Sequence, residues 1–186
     1  SDMFDARLRP LIDPPLNAMG RAIARLGITA DALTLAGAGA GAAAGFAIAH
    51  GQFGVALGLI ALSRILDGLD GAVARATRMT DFGGYLDIVA DFVFYCAVPL
   101  GFAAHDPDHA FAAAILLASF ALTGVSFLSF AAVAAKRREE TTAHGKKSFF
   151  YSTGLAEGAE TIAVFVAMCL FPAQFPLLAG LFAGLC

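Results

Sequence analysis

Long runs of apolar residues constrain this chain more strongly than any other feature. A helix that spans a membrane needs about 20 mostly apolar residues. Hydrophobic residues make up 59% of the chain, above the apolar share of an ordinary soluble domain. We therefore predict an all-α integral membrane protein of one domain, residues 1–186, with a six-helix bundle over residues 32–186. The six candidate spans are roughly 32–50, 53–75, 82–104, 109–135, 150–171 and a short last one, 173–186.

The N-terminal segment, residues 3–26, differs from these spans because it mixes apolar residues with arginines. Its apolar residues recur at helical spacing: Phe4, Leu8, Leu11, Ile12, Leu16, Met19 and Ile23. This pattern predicts an amphipathic juxtamembrane segment that lies in the membrane interface. Pro10, Pro14 and Pro15 interrupt the pattern, so we expect that it does not form one unbroken helix.

The distribution of Lys and Arg predicts the orientation in the membrane. The 12 basic residues lie in the N-terminal segment, in the C-terminal half of the second span, or in the connections 75–81 and 136–147. The opposite connections, 50–52, 105–109 and 172–174, contain none. Basic connections stay in the cytoplasm. We therefore expect a multi-pass protein of a bacterial-type inner membrane, with both termini and the basic loops on the cytoplasmic side.

Small residues dominate the first two spans. Gly37, Gly41 and Gly45 are spaced by four residues, and so are Gly54 and Gly58. Such spacing lets helix backbones approach closely, so we interpret both sets as packing surfaces. The first span begins next to two possible N-caps, Thr29 and Asp31, and the sequence does not choose between them.

Four aspartates around the connection between the second and third spans carry the chemistry. Asp67 and Asp70 are three residues apart, and Asp87 and Asp91 are four apart. Each pair therefore shares one face of its helix. The connection is short enough to place the two helices side by side. We expect the four carboxylates to converge near the cytoplasmic end of the bundle.

Such a group of carboxylates favours a bound cation. Ionised acids at membrane depth are costly, and like charges raise that cost. Carboxylates without His or Cys favour Mg²⁺ or Mn²⁺. The alternative is a structural network in which Arg64, Arg75 and Arg78 neutralise the acids. Small residues beside the acids, Gly71, Ala74 and Gly83, leave room for a phosphate, which Arg75 could contact in a bidentate manner.

At this point the residues resemble a known family. The string Asp67-x-x-Asp70-Gly71-x-x-Ala74-Arg75, followed after seven residues by Gly83-x-x-x-Asp87-x-x-x-Asp91, is similar to the signature of the CDP-alcohol phosphotransferases. Residues 27–34 resemble the family's entry to its first span, with Ala30 and Asp31 where the family has Pro and Asn.

The resemblance implies roles for particular residues. One or two divalent ions would be held by Asp67, Asp70 and Asp87, and Asp91 would be the general base while also touching the metal site. A cytidine diphosphate pocket would be lined by a second set: Asp31, Thr34, Gly71, Ala74, Arg75, Thr80 and Gly83. The resemblance also implies a homodimer, and we expect no nucleic-acid partner.

The resemblance implies transfer from CDP-diacylglycerol to an acceptor hydroxyl with release of CMP. Glycerol 3-phosphate is the leading acceptor; inositol phosphate, serine or an amino alcohol are alternatives, as is a soluble CDP-alcohol with diacylglycerol as acceptor. Members that use inositol phosphate carry arginines near positions where this chain has Gly158 and Thr161. The candidate acceptor-binding residues are Arg137, Arg138, Lys146, Glu157 and Glu160. An ion-coupled transporter is the alternative of a different class, since intramembrane acids also mark ion pathways.

Overall fold

The structure, a computed structural model, describes the backbone of residues 2–142 and 158–186 and the side chains of residues 14–137 and 158–186. Every regular element in these ranges is helical, which confirms the all-α prediction. Short 3₁₀ turns at Pro107–His109 and Pro172–Gln174 precede α5 and α7. The α-helices are α1 (Asp2–Arg25), α2 (Ala30–Ala49), α3 (Phe53–Ala76), α4 (Asp81–His105), α5 (Ala110–Thr142), α6 (Gly158–Leu170) and α7 (Phe175–Ala183).

Three stretches of the described chain are long and apolar enough to cross a membrane: α2, α4, and residues Pro107–Arg137, which include most of α5. The segments Gly158–Leu170 and Pro172–Ala183 are bent by 117° and would add a fourth span if they count as one. The protein is therefore an all-α chain with three or four candidate spans. The described residues do not confirm a count of six.

The N-terminal segment is a single helix, so the expectation that its prolines would break it was wrong. A proline ring fixes φ near −65°, which a helix accepts, and its cost is a missing hydrogen bond and a local clash. Pro14 and Pro15 are exposed, so they leave free the face of α1 that packs on α3. That packing is close, because a Cβ built at Gly20 would lie 2.7 Å from the Ala72 backbone. The side chains of residues 4–12 lie outside the described ones.

Three glycines of α2 confirm the predicted close packing. A Cβ built at Gly37 would lie 3.4 Å from the carbonyl oxygen of Ser63. A Cβ built at Gly41 would lie 3.0 Å from the ring of Phe94, and one built at Gly45 would overlap the carbonyl group of Ala97. The α2 backbone therefore lies directly against α3 and α4.

The second glycine pair does not behave in the same way. Nothing in the described chain lies within 4 Å of a Cβ built at Gly54 or Gly58. The described residues therefore show no packing at these two positions. Both glycines lie on an exposed face of α3.

The chain forms two compact units, residues 1–101 and residues 102–186. In the first unit Leu33, Leu69 and Val73 form a buried cluster, joined by α1 through Leu16 and Ile23. The second unit has a core of aromatic rings. Phe102 stacks on Phe175 with ring centroids 4.3 Å apart, and Phe120 makes edge contacts with Phe165 and Phe182. The acidic pairs belong to the first unit.

The contact between α2 and α4 predicts different effects at two glycines of α2. Gly45→Ala should destabilise the protein by about 1–3 kcal/mol, because the new methyl group meets the Ala97 carbonyl. That cost corresponds to a decrease in Tm of roughly 2–4 °C per kcal/mol for a chain of this size. Gly39→Ala is the matched control, since nothing in the described chain lies within 4 Å of its Cβ position. Thermal unfolding in detergent measures both, and equal Tm values would contradict the assigned packing.

Candidate metal and phosphate site

The two acidic pairs come together because α3 and α4 are joined by only a short connection, residues 77–80. Asp67 and Asp70 lie on the last turns of α3, and Asp87 lies on the second turn of α4. One carboxylate oxygen from each lies within 4.8 Å of the other two. The predicted convergence is therefore present for these three acids. An ion placed among them would be coordinated by oxygen atoms only.

Asp70 is the most deeply buried of these acids, and its carboxylate is hydrogen-bonded to a residue of α2. The Thr34 hydroxyl lies 2.5 Å from Asp70 Oδ2 and 3.1 Å from the carbonyl of Ala30. It has one proton, and the shorter distance assigns that proton to the carboxylate. Thr34 was predicted to contact the nucleotide, and in this structure its hydroxyl binds a carboxylate of the cluster.

The fourth acid, Asp91, has a different partner. Arg64 Nη1 donates a hydrogen bond to Asp91 Oδ1 at 2.7 Å and lies 3.6 Å from Asp67 Oδ2. The guanidinium also lies over the ring of Phe94, with its central carbon 4.2 Å from the ring centroid. The arginine network considered as an alternative is thus present in part, since Arg64 reaches two of the four acids.

A pocket of about 430 Å³ opens beside the carboxylates. Asp91 lines it together with the three converging acids, so all four predicted acids face one space. Its lining residues are Leu16, Asp67, Gly68, Asp70, Gly71, Arg75, Asp87 and Asp91. Gly68 and Gly71 give this wall little side-chain bulk, as the sequence predicted for Gly71.

Arg75 is held in place by the N-terminal helix. Its Nε and Nη2 both donate to Asn17 Oδ1, at 3.2 and 3.1 Å. Its Nη1 lies over Gly71, 3.3 Å from the Cβ position there. The Nε and Nη2 atoms of the guanidinium are thus bound to Asn17, and Nη1 lies beside a glycine. This arrangement suits contact of the guanidinium with a phosphate.

Three other residues predicted to bind the nucleotide lie close together. Thr80 and Gly83 are at the start of α4, and Asp31 is on the first turn of α2. The Thr80 hydroxyl accepts a hydrogen bond from Gly83 N at 2.9 Å, which caps the helix. A Cβ built at Gly83 would lie 3.4 Å from Asp31 Oδ1. Thr29, not Asp31, caps α2, because its hydroxyl accepts from Ala32 N. Asp31, Thr80 and Gly83, like half-buried Ala74, are not among the described residues that line the pocket.

The candidate acceptor-binding residues belong to the second unit of the fold or lie outside the described residues. Arg137 is exposed near the end of α5, and Glu160 is exposed on the first turn of α6. The side chains of Arg138, Lys146 and Glu157 lie outside the described part of the chain.

The chemistry of the ligand set fits a hard divalent cation. All converging ligands are carboxylate oxygens, the ligands that Mg²⁺ and Mn²⁺ prefer. In the described residues Arg64 is the arginine that forms ion pairs with these acids, and it reaches Asp67 and Asp91. Together with Arg75, which lines the pocket, it supplies two positive charges against four carboxylates, so the pocket keeps an excess of negative charge for a cation to offset.

Sequence reasoning missed two contributors from α1. Leu16 closes one side of the pocket and Asn17 holds Arg75, although the segment had been interpreted only as an interfacial helix. The apolar pattern includes Leu16, but no pattern assigns either residue to the pocket, because both contacts depend on how α1 packs along α3. Ser63 was also missed; its hydroxyl donates to the Gly37 carbonyl at 2.8 Å and lies 3.2 Å from Arg64 Nη2.

Known proteins resemble this chain over much of its length. The family model for CDP-alcohol phosphatidyltransferase matches residues 27–185. The inner membrane protein YnjF of Escherichia coli K12 is 48% identical over 185 residues, which cover 99% of this chain and 90% of that protein. Archaetidylinositol phosphate synthase of Pyrococcus horikoshii is 36% identical over 100 residues, 53% of either chain.

A solved structure shares the fold. The crystal structure of Mycobacterium tuberculosis phosphatidylinositol phosphate synthase with CDP-DAG bound matches with a TM-score of 0.65. The match covers 90% of this chain and 85% of that one at 22% sequence identity. At this identity the likeness establishes a common fold.

The converging carboxylates predict that the protein binds Mn²⁺ without any nucleotide. Asp87→Asn should weaken Mn²⁺ binding more than about 100-fold, because loss of even an outer partner of a metal ligand costs 10–100-fold. Asp81→Asn is the matched control, since Asp81 is exposed on the first turn of the same helix. Titration of the detergent-purified variants, followed by electron paramagnetic resonance, measures the free ion. Equal affinities in the two variants would exclude Asp87 as a ligand.

Proposed function

Because the chain belongs to the CDP-alcohol phosphatidyltransferase family and is therefore an enzyme, we propose that it transfers a phosphatidyl group from CDP-diacylglycerol to an acceptor hydroxyl and releases CMP. The observation that carries this proposal is a pocket in which three carboxylates converge and a fourth stands beside them. A site of this composition suits the pyrophosphate of a CDP-linked donor. The bound CDP-DAG named for the structural neighbour also supports a lipid-linked donor.

Asp67, Asp70 and Asp87 would hold the metal, one or two ions of Mg²⁺ or Mn²⁺. A bound divalent ion supplies positive charge that stabilises the pyrophosphate and the departing CMP. The Thr34 hydroxyl keeps the Asp70 carboxylate oriented through its hydrogen bond. Asp31, Ala74, Thr80 and Gly83 would contribute to the nucleotide end of the site, an assignment that rests on the family signature.

Arg75 and Asp91 would act directly on the substrates. Arg75 is oriented by Asn17 and would bind a phosphate oxygen of the donor above Gly71. Asp91 faces the same pocket and would accept the proton of the acceptor hydroxyl as the new bond to the β-phosphorus forms. The bond from that phosphorus to the bridging oxygen breaks, and its electron pair leaves with CMP. Positioning of the two substrates would supply much of the rate.

We propose glycerol 3-phosphate as the acceptor. Basic residues of the 136–147 connection, with Arg137, Arg138 and Lys146 as candidates, would suit its phosphate. Inositol phosphate is a second candidate, because archaeal relatives are archaetidylinositol phosphate synthases. Against it, Gly158 and Thr161 stand near positions where inositol-phosphate members carry arginines. Glu157 and Glu160 would offer polar contacts to either acceptor.

The membrane arrangement is part of the same proposal. The asymmetry of Lys and Arg supports six spans with both termini and the acids on the cytoplasmic side. The name of the Escherichia coli relative supports an inner membrane location. A homodimer is proposed from the family resemblance, and the open faces at Gly54 and Gly58 are compatible with helix contacts between two copies.

The proposal predicts metal-dependent CMP release. Purified protein supplied with CDP-diacylglycerol and Mg²⁺ or Mn²⁺ should release CMP with glycerol 3-phosphate, and a panel with inositol phosphate and serine identifies the acceptor. Chelation of the metal should stop the reaction, and Asp91→Asn should abolish turnover while leaving the fold intact. Wild-type rates in Asp91→Asn would exclude this residue as the base. The proposal fails if Mn²⁺ binds but no acceptor in the panel gives CMP.

The contact between Asn17 and Arg75 predicts an effect on donor binding. Asn17→Ala removes the acceptor of two hydrogen bonds from the guanidinium, so KM for CDP-diacylglycerol should increase roughly 10-fold or more, as for a lost hydrogen bond to a charged group. Met19→Ala is the matched control, because Met19 is exposed on the same helix. Steady-state kinetics in mixed micelles measures both variants. An unchanged KM in Asn17→Ala would mean that α1 does not orient Arg75 for the donor.

A further inference from the structure

Arg64 is a nearly buried cation within the acidic site, and neither the family signature nor the proposed mechanism assigns it a role. Its side chain is 15% exposed, against 31% for Asp91 and 34% for Asp67. A buried arginine is costly unless its charge is paired. Here the pairing is with the acids of the site itself, so its position bears on the chemistry.

Contacts from α3 and α4 fix the guanidinium, and one of these partners is itself held by α2. From its position on α3, Nη1 donates to Asp91 on α4 at 2.7 Å, and Nη2 lies 3.2 Å from the Ser63 hydroxyl. That hydroxyl in turn donates to the Gly37 carbonyl on α2 at 2.8 Å. The ring of Phe94, on α4, lies under the guanidinium plane and adds a cation–π contact. The group cannot turn away from Asp91 without losing several of these contacts together.

The result is a division among the four acids. Asp67, Asp70 and Asp87 form the group whose oxygens converge, whereas an Asp91 oxygen is bonded to Arg64. Nη1 lies between Asp91 and Asp67, at 2.7 and 3.6 Å from their oxygens. A second divalent cation bridging these two acids would need the same space and would meet a positive charge there.

Charge balance before the donor binds leads to the same conclusion. The four carboxylates, the guanidiniums of Arg64 and Arg75, and one divalent ion are together neutral. A second ion would leave an excess of positive charge in a site of low dielectric, which is unfavourable.

We propose that Arg64 is a positioning residue that holds Asp91 apart from the metal ligands, so that the donor-free site binds one divalent ion on Asp67, Asp70 and Asp87. Asp91 is thereby kept as a separate carboxylate facing the pocket. The catalytic meaning of this arrangement rests on the proposed function, in which Asp91 takes the acceptor proton. The metal stoichiometry does not rest on it.

Mn²⁺ binding to the donor-free protein tests the inference without any turnover. Calorimetry and electron paramagnetic resonance should give one Mn²⁺ per chain for the wild type and for Arg64→Lys, which keeps the charge. Arg64→Met should bind a second Mn²⁺, because it leaves Asp91 and Asp67 without the intervening cation. The double variant Arg64→Met with Asp91→Asn should return to one ion. Arg78→Met is the matched control, since it removes an exposed arginine outside the site, and should bind one.

Each outcome decides the inference. One ion at wild-type affinity in Arg64→Met would mean that Arg64 only supports the fold, and two ions in the wild type would overturn the proposal directly. If Arg64→Met does not fold, Asp91→Asn in the wild-type background still tests it. That variant should keep one Mn²⁺ and lose much less affinity than Asp87→Asn, because Asp91 lies outside the converging ligand set; a loss as large as that of Asp87→Asn would make Asp91 a ligand. A wild-type protein that binds one ion but releases no CMP would contradict the proposed function and would still agree with this inference.

Discussion

Mutual repulsion of four carboxylates in a low-dielectric environment is the constraint on which the rest of this structure depends. Each acid must be offset by a cation, a hydrogen-bond donor or water, since an uncompensated charge there is costly. The first unit of the fold meets part of this need with contacts from α2 and α3. Thr34 donates to Asp70 from α2, and Arg64 pairs with Asp91 from α3. The negative charge that remains is what makes the site suited to a divalent cation.

The acidic arrangement was predictable from the sequence because it depends on local geometry. Residues three or four apart on a helix share a face, and a short connection places two helices side by side. Asp67, Asp70 and Asp87 therefore converge as expected. Asp91 lines the same pocket, and the structure adds a partner that the sequence did not predict, a hydrogen bond from Arg64. Which acid an arginine selects depends on side-chain reach between helices, and spacing along the chain does not encode it.

The N-terminal helix shows where local rules fail. Three prolines argued against an unbroken helix, yet α1 runs from Asp2 to Arg25. Its energy is decided by tertiary contacts, in which Gly20 lies against Ala72 and Leu16 lies against Gly68. Such packing outweighs intrinsic propensity, which is a weak determinant on its own. The same register brings Asn17 to Arg75, so the packing of α1 also orients the Arg75 guanidinium.

The location of these residues also explains why the sequence indicates the chemistry more clearly than the acceptor. The described residues that line the pocket lie between positions 16 and 91, within the first compact unit. The described acceptor candidates, Arg137 and Glu160, belong to the second unit. A metal and phosphate site requires fixed residue types at fixed spacing, so it leaves a pattern that can be recognised. Recognition of a small alcohol requires only a few polar groups at the right depth, which many different sequences on α5 and α6 can supply.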